Sequence, residues 1–469
     1  MRMTVIDVVI MAAGKGTRMK SARPKVLHRL AGRPLLEHVM DTAFALHVRR
    51  VILVTGNGAD EVEAASAQWP RPAEAAAPLF VRQEPQLGTG HAVQQAVPVL
   101  PDDGVALILN GDVPLIEAAT LERLVEACGG ERLALLTTDM ADPTGYGRIL
   151  RKGEAVLGIV EHKDASTQQR EIREVYTGFM AAPSRLLKLW LSRLTNDNAQ
   201  REYYLTDVVA LAENDGAAVV AVKAGDPVEV EGVNSPLQLA QLERAFQRRE
   251  AMRLMAQGVR LADPARFDVR GTLECGQDVE IDVNCVFEGQ VAIGAGARIG
   301  ANCVIANARI EAGAVILPFT HMEGEKKGVR IGAEAIVGPF ARLRPGADLG
   351  PEVHIGNFVE VKNSTLARGA KANHLAYLGD ATVGERVNYG AGAITANYDG
   401  ANKHRTVIED DVHVGSNAVL VAPVTIGAGG TVGAGSTISK DAAPGVLSVA
   451  RGKQVAIANW KRPKKGEKK

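Results

Sequence analysis

After Gly258 an apolar residue returns every sixth position and holds its phase. One series is Ile281, Phe287, Ile293, Ile299 and Ile305; a second is Ile331, Val337, Leu343, Leu349, Ile355 and Val361. A third is Ile408, Val414, Leu420, Ile426, Val432 and Ile438. Glycine often follows the apolar residue, and four positions on stands a small one, such as Ala297, Cys303, Ala335, Ala341, Ala418 or Ser436. This is the hexapeptide signature of a parallel β-helix. A short strand and a turn consume six residues, so three repeats close one triangular coil. One aliphatic and one small residue per side fill so narrow a prism. A chain of 469 residues with 49 Gly and only 4% aromatics fits such an interior. A Gly/Ala-rich low-complexity tract would not keep phase over six consecutive repeats. The three series are mutually out of phase, so segments are expected to intervene near 306–330 and 362–407. Extra residues in a solenoid leave it as loops, and loops carry function.

Before Gly258 the period changes. Strand-like runs at 5–13, 50–56, 79–83 and 105–112 alternate with helical apolar spacing at 35–46, 59–69 and 119–128. That alternation predicts an α/β unit with a mostly parallel sheet, whose ligand crevice lies beyond the carboxyl ends of the strands. Residues 236–258 are rich in helix formers and end in Gly258, which predicts one helix of about 30 Å joining the halves.

Several functions are disfavoured at once. With 54 Lys+Arg against 54 Asp+Glu, no chain-wide charge grips nucleic acid. No apolar run approaches the roughly 20 residues of a membrane helix, and residues 5–13 run into a Gly loop rather than a cleavage site. The cysteines, Cys128, Cys275, Cys285 and Cys303, show neither CxxC nor zinc spacing. Cys285 and Cys303 stand one coil apart at the small inward position, as stacked structural thiols would. A reducing cytoplasm is the expected compartment.

Chemistry is first legible after the first strand. In MAAGKGTRMKSARPKVL, Gly14 and Gly16 let backbone N–H groups approach an anion, and Lys15, Arg18 and Lys25 surround it with positive charge. Neither a Walker loop nor a complete GxGxxG can be read there. Gln83 and the loop LGTGHA follow another strand, and Asp112 of LNGDVP ends the most apolar one, where an acid has no packing role. A carboxylate beside Lys and Arg in a phosphate crevice points to a Mg²⁺ ligand.

In order, AAGKGTRM, PKVL, QLGTGHA, GDVPL, DPTGYGRI, VEHKDA and VEGVN resemble the sugar-phosphate nucleotidyltransferases. Joined to hexapeptide repeats and to FARLRPGA, HIGNFVEVK, ANHLAYLGDA and NYDGANKH, the whole chain is similar to one family. This is the bifunctional N-acetylglucosamine-1-phosphate uridylyltransferase and glucosamine-1-phosphate N-acetyltransferase. The resemblance implies a uridylyltransferase domain at 1–236, a linker helix at 237–257 and a left-handed β-helix acetyltransferase domain at 258–469. It implies that Met11, Ala12, Ala13, Gly14, Gln83, Gly88 and Thr89 hold uracil and ribose, with Asn110 and Gly111 beside them. Arg18 and Lys25 then stabilise the UTP phosphates, Asp112 and Asn234 hold Mg²⁺, and Gly147 and Glu161 meet the sugar. The family's next sugar-contact position, an Asn in an NTG triplet, is Tyr176 here. Either its phenol reaches the sugar hydroxyl that the amide would have met, or it has turned away and something else fills in.

On the β-helix the resemblance makes His374 the general base for an amine that must be unprotonated to attack acetyl-CoA, and Glu360 of NFVEVK stands near enough in register to be its expected orienter. Arg344 and Lys362 would grip the substrate phosphate, and Tyr377 and Asn388 the sugar. Ala391, Asn397, Tyr398, Ser416, Ala434 and Arg451 match acetyl-CoA contacts. The family is a homotrimer sharing its acetyl site between chains. It makes UDP-N-acetylglucosamine for peptidoglycan and lipopolysaccharide precursors, acetylating first and uridylylating second. A monofunctional nucleotidyltransferase with an oligomerising solenoid and a non-enzymatic scaffold are the rival readings, and His374 with its neighbours speaks against both.

Overall fold

A computed structural model describes residues 4–462; most of the basic tail KRPKKGEKK lies outside them. The chain divides into two compact units, Met1–Gln247 and Arg248–Lys469.

The first unit is built on a seven-strand path. Its order is Val219–Lys223, Leu133–Asp139, Glu174–Pro183, Val105–Asn110, Ile6–Met11, Arg50–Thr55 and Leu79–Arg82. Neighbours are parallel except at Glu174–Pro183, which runs antiparallel to both of its own. A hairpin, Arg148–Lys152 with Ala155–Val160, extends from that reversed strand. Continuous apolar runs such as VVI (8–10) and VALIL (105–109) are wholly buried because helices cover both faces, giving two cores. The strand ends at Met11, Thr55, Arg82 and Asn110 therefore open on one edge.

The expected linker is the helix Pro236–Ala256. Leu242 packs with Met19, Leu30, Leu35 and Leu115 in the first unit. Ala251 and Leu254 join the core of the second. No helix among the described residues is long and apolar enough to cross a membrane.

The second unit is the parallel β-helix. Phe267 pairs with Cys285 and Glu280 with Arg298, an 18-residue coil of three six-residue sides. Ile281, Ile293, Ile305, Val337, Leu343, Ile355, Val414 and Ile426 are all buried, as the period demands. Cys285 and Cys303 are buried too, their Sγ atoms donating to Gly300 O at 3.2 Å and Leu317 O at 3.3 Å. Burial pushes the Cys285 thiol up to about 11 and the Cys303 thiol up to about 12, so neither is a reactive thiolate.

The phase breaks have two different causes. Near 306–330 a loop does leave the coil, since Ala308 pairs with Val329, three residues longer than one turn. Between 362 and 396 nothing leaves, contrary to expectation. Glu360 pairs with Tyr377, His354 with Lys371 and Lys371 with Asn388, so these coils are one residue short. Leu366, Ala372, Leu378, Val383 and Tyr389 stay buried through the shortened corner. The loop proper is 397–405, which stretches the next pairing to Ala381 with Thr406.

Candidate active sites

In the first unit, a cleft of about 470 Å³ opens at the carboxyl ends of the strands. Met11, Ala12, Ala13, Gly14, Lys25, Gln83, Gly88, Thr89, Asn110 and Asp112 line it, together with Lys15 and Gln86. Gly14 has nothing within 4 Å of where a Cβ would stand, so its backbone faces open space. Gly88 has φ 108°, and a Cβ there would meet Tyr203 O at 2.6 Å. Only glycine lets this loop pass so close. Buried Gln83 donates to Gly88 O at 2.8 Å, and Thr89 Oγ1 accepts the Leu205 N–H at 3.0 Å. Gly111 N donates to Met11 O at 3.0 Å, which ties the two strand ends together. Gln86 was not singled out in the sequence, although it precedes LGTG directly; its amide donates to Ala13 O at 3.1 Å. Arg18 is exposed in the short turn Thr17–Met19 and does not line the cleft.

Lys25, Asp112 and Asn234 come together from three distant segments. Lys25 Nζ lies 2.5 Å from Asp112 Oδ2 and 3.2 Å from Asn234 Oδ1. Val233 N donates to Asp112 O at 2.9 Å and so pins the VEGVN segment to the GDVP loop. Gly16 has φ 59°, and a Cβ there would meet the Lys25 Cβ at 2.7 Å. Two hard oxygen donors thus converge on one cation position. No group of three His, Cys, Asp or Glu residues suited to a metal occurs among the described residues. That donor set fits Mg²⁺, which takes one or two protein ligands and leaves the rest to water and substrate phosphates. Tyr146, also unmarked in the sequence reading, faces this pair. Burial, then the charges of Glu231 and Asp112, hold its phenol above the ordinary value.

Gly147, Glu161 and Tyr176 are neighbours as expected. The Tyr176 N–H donates to Gly147 O at 2.9 Å, and a Cβ at Gly147 would lie 3.6 Å from Glu161 Oε1. Thr206 donates to that carboxylate at 2.9 Å, while burial raises its pKa. The Tyr176 side chain itself turns inward. It packs in the core with Ile149, Val156 and Met180, and its buried hydroxyl finds no hydrogen-bond partner among the described residues. The strand register breaks between Tyr176 and Met180, and Thr177 anchors the backbone through Leu136 O at 2.8 Å. An unpaired buried hydroxyl costs more than its removal. Tyr176→Phe should therefore raise stability by about 1 kcal/mol, or about 2–4 °C in Tm, and leave the sugar-phosphate KM unchanged. Calorimetry and steady-state kinetics check this; a raised sugar KM would show that the phenol does reach substrate.

On the β-helix, the predicted residues fall on two corners and the face between them. The Leu375 N–H donates to Asn357 O, Gly392 N–H to His374 O, Asn417 N–H to Ala391 O and Gly435 N–H to Ser416 O. Asn357, His374, Ala391, Ser416 and Ala434 thus form one column, a coil apart at each step. Arg451 joins it by donating to Ala434 O at 2.8 Å. A Cβ at Gly415 would meet Ala434 N at 2.4 Å, so adjacent coils touch backbone to backbone beside Ser416.

His374 is exposed, with Nδ1 at 3.1 Å from Asn357 Oδ1. Nδ1–H donating to that amide oxygen leaves Nε2 with a free lone pair. Glu360, expected as the orienter, is engaged elsewhere, at 2.9 Å from Arg344. Its register partner is Tyr377 on the next face, whereas that of His374 is Asn357. The structure thus gives the contact to Asn357, a residue the sequence reading passed over.

The second corner carries Arg344, Lys362 and Asn397. Lys403, from the 397–405 loop, adds a cation that was not anticipated. Contact with its ammonium, then burial, holds Lys362 below the ordinary lysine value. Asn363 and Asn397 both donate to the buried Asp380 carboxylate at 2.5 Å. Tyr398 is exposed, its hydroxyl donating to Gly400 O at 2.6 Å. The Tyr377 phenol lies over Gly379 on the intervening face. Asn388 sits beyond the His374 corner, between Lys371 and His413. Within one chain the residues expected to meet acetyl-CoA are therefore split between two corners.

Fold and sites together define a two-part transferase, a nucleotidyltransferase unit followed by a hexapeptide-repeat transferase unit. Residues 8–176 match the MobA-like NTP transferase domain family, and residues 405–440 match the bacterial transferase hexapeptide (six repeats). A relative named bifunctional protein GlmU from Methylibium petroleiphilum is 72% identical, over 98% of this chain and 100% of its own. Those of the same name from Albidiferax ferrireducens and Azoarcus sp. are 69% and 57% identical, again over 98% of this chain and 100% of theirs. The chain belongs to the bifunctional GlmU family, a uridylyltransferase and an acetyltransferase in one polypeptide.

Proposed function

We propose that the two sites carry out consecutive steps, acetylation at the β-helix and then uridylylation in the α/β cleft. In the first, the amine of glucosamine 1-phosphate attacks the acetyl-CoA carbonyl carbon, the C–S bond breaks, and CoA leaves as the thiolate, which takes up a proton to give free thiol. His374 Nε2 takes the amine proton, with Asn357 fixing the ring. Arg344, Lys362 and Lys403 hold the sugar phosphate, and the column Ala391, Ser416, Ala434 and Arg451 guides acetyl-CoA toward the base. That alignment of His374 with the column is the observation that carries the reading.

In the second step a phosphate oxygen of N-acetylglucosamine 1-phosphate attacks the α-phosphorus of UTP and expels pyrophosphate. The nucleophile is already ionised, so no general base is required, and catalysis rests on placement and charge neutralisation. Ala12 to Gly14, Gln83 and Gly88 seat the nucleoside and Lys25 takes up phosphate charge, while Arg18 would share it only by swinging in from the Thr17–Met19 turn. Gly147 and Glu161 border the sugar; Tyr176 shapes that pocket from beneath. Asp112 and Asn234 would hold Mg²⁺, which would supply further charge neutralisation at the phosphates. The uridylyl machinery is assigned to 1–236, the acetyl machinery to 258–469, and the helix between them is a connector. The compartment proposed is the cytoplasm, a reducing environment suited to the four free cysteines.

Hexapeptide repeats point to assembly, and the assembly proposed is a homotrimer. Phe319, Phe340 and Phe358 stack in a ladder, with ring centroids 4.9 and 5.4 Å apart. They are 50%, 46% and 57% exposed, and Leu375 continues the row at 64%. Three aromatic rings in a row are costly to leave in water. The row ends beside His374, where a neighbouring chain would bring its own second corner to the base and so reunite the split acetyl-CoA residues. Phe340→Asp should yield a smaller species in sedimentation velocity and lose acetyl transfer, with uridylyl transfer retained. A variant that stays at the wild-type mass would remove the ladder from the interface. The function as a whole is tested by incubating the protein with glucosamine 1-phosphate, acetyl-CoA, UTP and Mg²⁺. UDP-N-acetylglucosamine, free thiol and pyrophosphate should appear in equal amounts; thiol release without nucleotide sugar would overturn the coupling.

A further inference from the structure

The Lys25 ammonium occupies the position at which both proposed metal ligands aim, and it spends both of them. It lies 2.5 Å from Asp112 Oδ2 and 3.2 Å from Asn234 Oδ1. The pair is enclosed, with side-chain exposures of 15% and 17%. A divalent cation cannot join Asp112 while that ammonium remains, because like charges a few ångströms apart in a partly buried site repel strongly and are weakly screened.

We propose that Lys25 is a resident stand-in for the metal, and that a polyphosphate must draw it off Asp112 before the divalent cation can bind well. This rests on the reading of Asp112 and Asn234 as the metal-holding pair. The exchange needs only side-chain rotation. The Lys25 backbone is fixed in the turn Lys25–Leu27, whose His28 N–H donates to Lys25 O at 3.2 Å. Gly16 passes tightly against the Lys25 Cβ, whereas the end of the side chain borders the open cleft. Nucleotide phosphates in that cleft offer the ammonium a new anionic partner. One charge then serves twice. It neutralises Asp112 in the free protein and the phosphates in the complex, so Asp112 is never left without a compensating charge. Metal and nucleotide are thereby coupled, each raising the affinity for the other by the same factor. The order of entry follows, since the free protein discourages metal without nucleotide.

The test titrates Mn²⁺ into the nucleotide-free full chain and counts free ion by electron paramagnetic resonance. Wild type, Lys25→Met, Lys25→Gln and the double variant Lys25→Met/Asp112→Asn are compared. A second titration measures Mn²⁺ affinity of wild type and Asp112→Asn with a non-hydrolysable UTP analogue bound. Both single Lys25 variants should bind Mn²⁺ about tenfold tighter than wild type, or more, and Asp112→Asn should abolish that gain. If neither Lys25 variant gains affinity while Asp112→Asn still weakens Mn²⁺ in the nucleotide complex, the exchange is wrong and the metal pair stands. If Asp112→Asn leaves Mn²⁺ affinity unchanged in the nucleotide complex, the metal pair is wrong and the exchange falls with it.

Discussion

Acetyl transfer should fall by about 10²–10⁴-fold near neutral pH in His374→Ala, the range a positioned general base supplies, with uridylyl transfer unchanged. The imidazole is exposed at a corner, where Nδ1 meets the Asn357 side chain. Removing it therefore opens no cavity in the prism. What is lost is the acceptor for the amine proton. Raising the pH should partly restore the rate, because it frees the amine without help. Asn357→Ala should reproduce a milder form of the defect, since the ring would lose its tautomer partner but keep its place. Thiol release from acetyl-CoA across a pH series checks both; an unchanged rate in the alanine variant would dismiss His374 as the base.

The second large effect is expected at Asp112. Asp112→Ala should cost uridylyl transfer about 10²–10³-fold or more, on the scale of removing one preorganised electrostatic group, while acetyl transfer stays near wild type. The substitution does two things at once. It withdraws an oxygen from the position where Mg²⁺ is proposed, and it strands Lys25 beside Asn234 alone. Added Mg²⁺ should recover little, because the missing ligand is not a matter of occupancy. Loss of both activities in a folded protein would mean that the two sites depend on each other.

Periodicity carried the fold because it is a local property repeated many times. The six-residue repeat names the inward positions from Ile281 to Ile438, and those residues are buried without a long-range assumption. The α/β unit was legible for the same reason, through wholly apolar strands flanked by amphipathic helices. Subtler registers were not. A coil of seventeen residues instead of eighteen looks in sequence like an interruption, yet the backbone absorbs it at a corner, as at Val361 to Leu366. The reversed strand Glu174–Pro183 also left no local mark, because direction is set by pairing with Ile108 and Leu135 from elsewhere in the chain.

Site residues divided along similar lines. Residues that are chemically out of place where they stand, such as Asp112 at the end of a buried strand, could be read directly. Partners that matter through space could not. Asn357 meets His374 only because the coils stack one turn apart, and Lys403 reaches Lys362 only because the 397–405 loop folds back. Tyr176 shows the converse. The motif left its phenol two places, toward the sugar or away from it, and the register of its strand turns the ring into the core.

One chain thus holds two separable chemistries joined by a diffusible intermediate, and mixing the two crippled proteins puts this to the test. His374→Ala and Asp112→Ala, each incubated alone with glucosamine 1-phosphate, acetyl-CoA, UTP and Mg²⁺, should make little UDP-N-acetylglucosamine. Together they should make it at a rate near that of wild type, after a lag while N-acetylglucosamine 1-phosphate accumulates. A mixture as inactive as its components, with each variant still competent in its own half-reaction, would mean that the intermediate does not pass freely from one site to the other.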